Sequence, residues 1–182
     1  MLVDGLDVKC YTLEALHDKI SYVPQKANLF TGNITTNLQL ANENITDEEI
    51  EKCLSIAECS FIEKLDDGYT QPVSAGGKNF SGGQKQRLSI ARAIAKKPEI
   101  FIFDDSFSAL DFKTDKTLRS NLKKQASGVT TLIVAQRINT IKDADKIIVL
   151  DDGKMVGMGK HQDLIKNNKV YIEIAESQNY GE

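Results

Sequence analysis

The sequence lacks any long apolar run. A helix that crosses a bilayer needs about 18 or more consecutive apolar residues, and no run in these 182 residues approaches that length. The first residues, Met1 to Cys10, have neither the basic start nor the apolar centre of a signal peptide. The sequence therefore predicts neither a membrane-spanning segment nor a secretory signal.

The chain also has few cysteines and no excess of positive charge. Its cysteines, Cys10, Cys53 and Cys59, are odd in number and lack the spacing of metal ligands, which favours reduced thiols in the cytoplasm. The formal net charge of −3 does not provide the basic surface that nucleic-acid-binding proteins need. We therefore expect one soluble domain with no nucleic-acid partner, in a chain long enough for a sizeable core.

The most informative segment is FSGGQKQR, from Phe80 to Arg87. Ser81, Gly82 and Gly83 precede apolar residues at helical spacing, so we expect them to cap and begin a helix. That helix is predicted to end at Lys97, before a proline. Free N–H groups at a helix N-terminus attract phosphate, and glycine lets an oxygen approach closely. Taken alone, SGG fits an ordinary glycine-rich loop equally well.

A short apolar run, Ile100 to Phe103, follows and ends in Asp104 and Asp105. Bounded by Pro98 and by charge, it is most simply a strand covered on both faces. Acids at its end would lie at the carboxyl edge of a parallel sheet, where α/β folds bind ligands. One acid there could hold Mg²⁺ through water. Two solvated acids that begin a turn are the alternative.

Other elements are predicted from capping and periodicity. A capping box formed by Thr46 and Glu49 marks the start of a helix. His161 is expected to cap a helix or lie at the surface, with metal binding a remote alternative. The predicted elements are helices at Thr12–Leu16, Thr46–Ala57, Thr114–Ala126 and His161–Ser177, strands at Ile20–Val23 and Thr130–Ala135 (the latter buried), and a strand pair at Lys146–Leu150 and Met155–Met158.

Four motifs in this order resemble the nucleotide-binding domain of an ATP-binding cassette (ABC) transporter: FSGGQKQR, ARAI, IFIFDDS, and SALD at Ser108 to Asp111. The resemblance implies an α/β class fold, a partial P-loop NTPase (ABC cassette) fold. Its sheet is mostly parallel with flanking helices, and a helical subdomain at about residues 26–97 carries the signature. Residues 1–182 would form the C-terminal part of one such domain, at the cytoplasmic face of the cell membrane.

The resemblance also implies ATP and Mg²⁺ as cofactors. Gln25, in VPQKANLFTGNITTNL, matches the Q-loop glutamine that reaches the metal and the attacking water in the family; alone, it would be a turn-closing polar residue. Asp104 matches the Mg²⁺-binding aspartate. In the family the signature of one cassette closes over the ATP of another, and the D-loop crosses their interface. The nucleotide-contacting residues implied are Gln25, Ser81, Gly82, Gly83, Gln84 and Asp111.

Two catalytic positions depart from the family pattern. Asp105 stands where active cassettes have a glutamate that activates water, and its side chain is one methylene, or about 1.5 Å, shorter. Gln136 stands at the switch histidine and cannot take up a proton. Losing a positioned base typically costs about 10²- to 10⁴-fold in rate. We therefore expect a site built on Asp105 and Gln136 to bind nucleotide better than it hydrolyses it.

An intact signature beside two altered catalytic positions resembles the degenerate half of a heterodimeric exporter. The partners implied are a second ABC nucleotide-binding domain and the transmembrane domain of an exporter. Exporters usually have a glutamate, at a contact with the membrane domain, where this chain has Ala75.

The phosphate-binding loop GxxxxGK[ST] does not occur in this sequence. In the family it precedes the Q-loop, so we expect Met1 to follow it. Because that loop supplies much of the nucleotide affinity, the isolated chain is expected to bind ATP very weakly and to be inactive alone. Apolar faces at Ile100 to Phe103 and Thr130 to Ala135 should be poorly covered, which favours aggregation or a partner.

Two other functions fit parts of the sequence. A non-enzymatic fragment could complement a partner's site through its signature or be an inert remnant, and the missing phosphate loop favours this for the chain as given. DNA-repair ATPases of the structural-maintenance (SMC) type also use an SGG signature. Their long coiled coils and basic DNA-facing surfaces are not present in this sequence, so this function is less favoured.

Overall fold

The computed structural model describes residues 1–125 and 128–179, and the chain divides into two compact units at Val134 and Ala135. The strands and α-helices of the first unit are β1 Leu2–Val3, β2 Leu6–Asp7, α1 Leu13–Lys19, β3 Ile20–Val23, β4 Gly32–Asn33, α2 Ile34–Gln39, α3 Asp47–Ile56, β5 Pro72–Val73, α4 Gly82–Ala95, β6 Ile100–Asp104, α5 Phe112–Gln125 and β7 Thr130–Val134. Those of the second unit are α6 Ile138–Ile141, β8 Ile147–Asp151, β9 Lys154–Gly159, α7 His161–Asn167 and α8 Lys169–Asn179.

A parallel sheet in the order β3-β6-β7 forms the centre of the first unit. On one face of it, Val23 and Phe103 are fully buried and Phe101 nearly so. These side chains join a core to which α3 and α4 contribute Ile50, Leu88 and other apolar residues. The predicted α/β class with a parallel sheet and helices is confirmed.

The opposite face of the sheet is exposed, which corrects the prediction that β7 is buried. The register aligns Tyr22 with Ile102 and Ile102 with Leu132, so these three side chains share that face. Tyr22 and Leu132 are more than half exposed, and Val134 is 50% exposed. The strand β6 is likewise buried on one face rather than both. The prediction that the apolar faces of these strands are poorly covered is confirmed for β7 and for one face of β6.

Helix α3 is confirmed in detail. The Thr46 hydroxyl accepts the Glu49 N–H, and the Glu49 carboxylate accepts the Thr46 N–H, which completes the predicted capping box. Its predicted apolar stripe, which includes Ile50, Cys53 and Leu54, is buried. Burial in this stripe raises the pKa of the Cys53 thiol to about 11, which fits a packed, unreactive cysteine.

Several helix ends differ from the predictions. Helix α4 ends at Ala95 rather than Lys97, because Lys97 adopts a left-handed backbone with φ of 54°. Helix α1 begins as expected behind its cap, Thr12, and runs on to Lys19. Helix α5 begins at Phe112 rather than Thr114. The predicted end of α5 at Ala126 lies outside the described residues.

The predicted single helix from His161 to Ser177 is wrong, because Asn168 divides it into α7 and α8. The Asn168 backbone is extended, its Oδ1 accepts the Tyr171 N–H at 2.8 Å, and its Nδ2 donates to the Val156 carbonyl at 2.9 Å. The Asn168 side chain thus starts α8 and ties it to β9. His161 lies 2.9 Å from the Tyr171 hydroxyl rather than capping the helix.

No helix within residues 1–125 and 128–179 combines the length and the apolar character needed to cross a membrane.

We expect Asn168→Ala to lower the free energy of unfolding by about 1–2 kcal/mol, because it removes a helix cap and a hydrogen bond to β9. The measurement is urea unfolding followed by circular dichroism. Asn167→Ala, at an exposed neighbouring position at the end of α7, is the matched control. Equal destabilisation by both substitutions would contradict the role given to Asn168.

Candidate functional site

Three hydrogen bonds join the carboxyl ends of the neighbouring strands β3 and β6. They are Tyr22 Oη to Asp104 Oδ2 at 2.8 Å, Ser106 Oγ to the Val23 carbonyl at 2.8 Å, and Gln25 Nε2 to Asp105 Oδ2 at 3.2 Å. Because the strands are parallel, all these residues lie at the edge of the sheet where α/β folds bind ligands. The structure thus brings Gln25 to Asp105, beside Asp104, while the roles expected of these residues towards a metal ion and water stay predictions.

The backbone turns sharply at Asp105, directly after β6. Its φ is 45°, in the left-handed region, where aspartate is tolerated better than most residues. The Asp105 N–H donates to the Val134 carbonyl at 2.9 Å, and the Asp105 carbonyl accepts the Ser108 hydroxyl at 2.8 Å. Both bonds hold the turn, so the carboxylate that reaches Gln25 projects from a fixed backbone.

Sequence reasoning missed Tyr22. Its hydrogen bond to Asp104 raises the pKa of the Tyr22 phenol, with smaller contributions from desolvation and from the carboxylate charge. The contact arises because Tyr22 lies opposite Ile102, on the same sheet face as Asp104. Side chains alternate between the two faces of each strand, so Tyr22 can be placed on the face of Asp104 only when the register between β3 and β6 is known. The sequence of either strand alone does not supply this register.

The donors at this edge suit magnesium. Asp104 and Asp105 offer carboxylate oxygens and Gln25 an amide oxygen, and Mg²⁺ prefers oxygen ligands and needs only one or two carboxylates when phosphates and water complete its shell. The described residues contain no cluster of three or more histidine, cysteine, aspartate or glutamate side chains that could hold a metal ion. The residues present therefore fit a Mg²⁺ ion whose shell is completed by water or by the phosphates of a nucleotide.

The signature segment begins α4 through a capping box. Ser81 Oγ accepts the Gln84 N–H at 3.3 Å, and Gln84 Oε1 accepts the Ser81 N–H at 2.8 Å. A Cβ on Gly83 would lie 3.4 Å from the Ala109 carbonyl oxygen, so the helix start packs against the segment from Ser108 to Asp111. The predicted cap is confirmed, and the nucleotide contacts of Ser81, Gly82, Gly83 and Gln84 stay a prediction.

Helix α4 also holds the segment that follows β3. The buried Gln86 side chain donates to the Pro24 carbonyl at 3.3 Å. Arg92 donates to the Asn28 carbonyl at 2.9 Å, and its guanidinium lies 5.1 Å from the Phe30 ring centroid. Burial lowers the pKa of Arg92. Sequence reasoning gave these two residues no role, although the motifs FSGGQKQR and ARAI contain them.

Asp111 has a structural role at the start of α5. Its carboxylate accepts the Thr114 N–H at 3.0 Å and the Thr114 hydroxyl at 2.7 Å. The pKa of the Asp111 carboxyl is held below its ordinary value, mainly by the hydrogen bond from the Thr114 hydroxyl and next by the one from the Thr114 N–H. The contact of Asp111 with nucleotide stays a prediction.

Gln136 belongs to the second unit. Its backbone carbonyl accepts a hydrogen bond from Gln178 Nε2 at 2.7 Å, which joins the segment before α6 to α8. The catalytic role expected for its side chain stays a prediction.

Replacing Thr114 by valine removes the hydroxyl donor to Asp111, so the pKa of Asp111 should rise towards its ordinary value. In the parent chain the stabilisation linked to this low pKa is present above the ordinary carboxyl pKa and is lost as the pH falls through the lower folded value. Carboxyl ¹³C NMR against pH measures the change. Thr117→Val, which removes a hydroxyl that donates to the Lys113 carbonyl in the same helix, is the control. An unchanged Asp111 pKa in Thr114→Val would contradict the assignment.

Comparison with known proteins finds relatives over almost the whole chain. The family model described as ABC transporter matches residues 1–108. An uncharacterized ABC transporter ATP-binding protein of Mycobacterium tuberculosis is 42% identical over 182 residues, covering 98% of this chain and 31% of the relative. The ATP-dependent lipid A-core flippase of Francisella tularensis is 35% identical over 179 residues, covering 97% of this chain and 29% of the relative.

A solved structure shares the fold almost completely. The structure of a bacterial Atm1-family ABC exporter with ATP bound superposes with a TM-score of 0.94 at 36% identity, covering 98% of this chain and 32% of that one. The chain thus spans about a third of the length of these two relatives and of that solved chain. Since the family model matches more than half of the residues, the chain belongs to the ABC transporter family.

Proposed function

We propose that this chain couples ATP binding and hydrolysis to transport across a membrane, as the nucleotide-binding part of an exporter. The observation that carries the proposal is the 3.2 Å hydrogen bond from Gln25 to Asp105. It joins the glutamine of the Q-loop segment to the acid that follows the Mg²⁺-binding position. Relatives with the names lipid A-core flippase and Atm1-family exporter support the same function.

In this proposal Asp104 and Gln25 would hold Mg²⁺ together with the phosphates of ATP. Bound there, the ion would supply positive charge beside the transferred phosphoryl group. Asp105 stands at the position of the family's catalytic glutamate and is also a carboxylate, so it would accept the proton of the attacking water. Its side chain is one methylene shorter, so its reach towards that water is reduced by about 1.5 Å. Gln136 would hydrogen-bond the γ-phosphate without taking up a proton.

The signature would serve a partner. We expect a second nucleotide-binding domain to place its ATP against the start of α4, where the N–H groups of Gly82 and Gly83 begin the helix. A Cβ on Gly82 would meet no atom of the described residues within 4 Å, which leaves room for a phosphate there. The combination of this signature with Asp105 and Gln136 supports a heterodimer in which the partner's ATP site is the competent one.

The exposed face of the central sheet supports a further part of the proposal. Leu132 and Val134 are each at least half exposed, and burying such surface contributes roughly 25 cal/mol per Å². We propose that the polypeptide portion with the phosphate-binding loop covers this face. We also propose that the chain lies beside the transmembrane domain, at the cytoplasmic side of the membrane. Without that portion the chain would bind ATP very weakly.

A signature-bearing chain without activity of its own is the second candidate. The observation that favours it is the lack of GxxxxGK[ST] in the sequence. Co-purification with a second cassette subunit, whose ATP hydrolysis then depends on Ser81, supports signature donation. Independence from Ser81 would contradict it.

We expect the double substitution Asp105→Glu and Gln136→His to raise ATP turnover at this chain's own site by about 10²-fold or more, because it restores a base within reach of water and a group that can carry a proton. Phosphate release measures turnover in the assembled exporter, with the partner's site silenced by Ser81→Ala in the parent and in the variant alike. Asp163→Glu with Gln162→His makes the same chemical changes at exposed positions of α7 and should have no effect. Unchanged turnover in the first variant would overturn the roles given to Asp105 and Gln136.

A further inference from the structure

Tyr22 makes a contact that the requirements of packing do not explain. Its side chain is 55% exposed, so the ring fills no core position, yet its hydroxyl donates to Asp104 Oδ2 at 2.8 Å. Water could satisfy both groups at an exposed sheet edge. The bond therefore sets the orientation of the carboxylate more than it sets the fold.

The parallel register explains why a tyrosine can make this bond. Tyr22 lies opposite Ile102, and Asp104 is the next residue of β6 on the same face. A diagonal neighbour on an adjacent strand lies within reach of aromatic and other long side chains. A phenylalanine would occupy the same place but has no proton to donate.

The backbone around Asp104 is already fixed without Tyr22. β6 is hydrogen-bonded to β3 on one side and to β7 on the other, where Asp104 pairs with Val134. The buried Ser106 hydroxyl also closes the end of β3 by donating to the Val23 carbonyl. What the phenol restricts is rotation of the Asp104 side chain.

Gln25 does not duplicate this bond, because its amide donates to the neighbouring acid, Asp105. The end of β3 thus supplies two donors, one for each of the two carboxylates at the end of β6. Each acid has its own orienting group.

We propose that Tyr22 is a positioning residue, whose hydroxyl holds the Asp104 carboxylate in the orientation in which it receives a divalent cation. The inference rests on the proposed function, in which Asp104 is the Mg²⁺ ligand. Outer groups that hydrogen-bond a metal ligand orient it, and their removal typically lowers metal affinity about 10- to 100-fold. Tyr22→Phe should therefore weaken divalent-cation binding while leaving the fold intact.

The test uses Mn²⁺ alone as the probe and the 182-residue chain. Bound Mn²⁺ broadens the NMR signals of nearby backbone amides, so a titration gives a dissociation constant from residues around Asp104. We expect Tyr22→Phe to raise that constant about 10-fold or more. Tyr11→Phe removes a hydroxyl that donates to the Val3 carbonyl and should leave the constant unchanged.

One further variant separates the role of the hydroxyl from that of the ring. Tyr22→Leu removes the ring as well as the hydroxyl; the proposal expects it to bind Mn²⁺ as weakly as Tyr22→Phe. If Tyr22→Leu alone is impaired, the ring matters and the positioning role is wrong. Urea unfolding midpoints confirm that the variants remain folded.

Asp104→Asn distinguishes failure of this inference from failure of the proposed function. Loss of broadening in Asp104→Asn, with parent-like affinity in Tyr22→Phe, leaves the metal assignment standing and overturns the role of Tyr22. Broadening that is absent in the parent chain, or unchanged in Asp104→Asn, overturns the metal assignment and this inference together.

Discussion

The register between β3 and β6 determines where the residues of the candidate site lie. Four consecutive residue pairs fix it, and they put Val23 and Phe103 in the core. The same register brings the end of β3 to the acids of β6, so that Tyr22 and Gln25 each reach one carboxylate. Because side chains alternate between faces, a slip of one residue would exchange the two faces and separate every one of these pairs. The packing of the core therefore specifies the geometry of the site.

Helix α4 connects this edge of the sheet to the signature. Its first turn is the capped signature, its middle holds Gln86 against the Pro24 carbonyl, and Arg92 holds the Asn28 carbonyl. The segment next to Gln25 cannot shift independently of α4 unless these bonds break. If the chain is part of an exporter, as proposed, these bonds would let one displacement reach both Gln25 and the start of α4. The link consists of the Gln86 and Arg92 side chains of α4, and no motif within the segment after β3 forms it.

Local signals allowed much of this fold to be predicted. The capping box at Thr46 and the cap at Ser81 form between residues close in sequence, and both occur as expected. Predictions that depend on distant partners were wrong or missing. An apolar run does not tell an outer strand from a central one, so the prediction that β7 is buried is wrong. The break at Asn168 depends on the Val156 carbonyl of β9, and the role of Tyr22 depends on strand register.

Asp105 lies where two physical requirements oppose each other. The turn after β6 holds this residue at a φ of 45°, a region that aspartate enters more readily than glutamate because its short polar side chain hydrogen-bonds locally. The chemistry requires the reverse, since a longer carboxylate brings a base closer to the attacking water. The shorter acid therefore suits the backbone and the bond from Gln25, and the longer acid suits hydrolysis. A cassette that mainly binds ATP and lends its signature to a partner is subject to the first requirement and is released from the second.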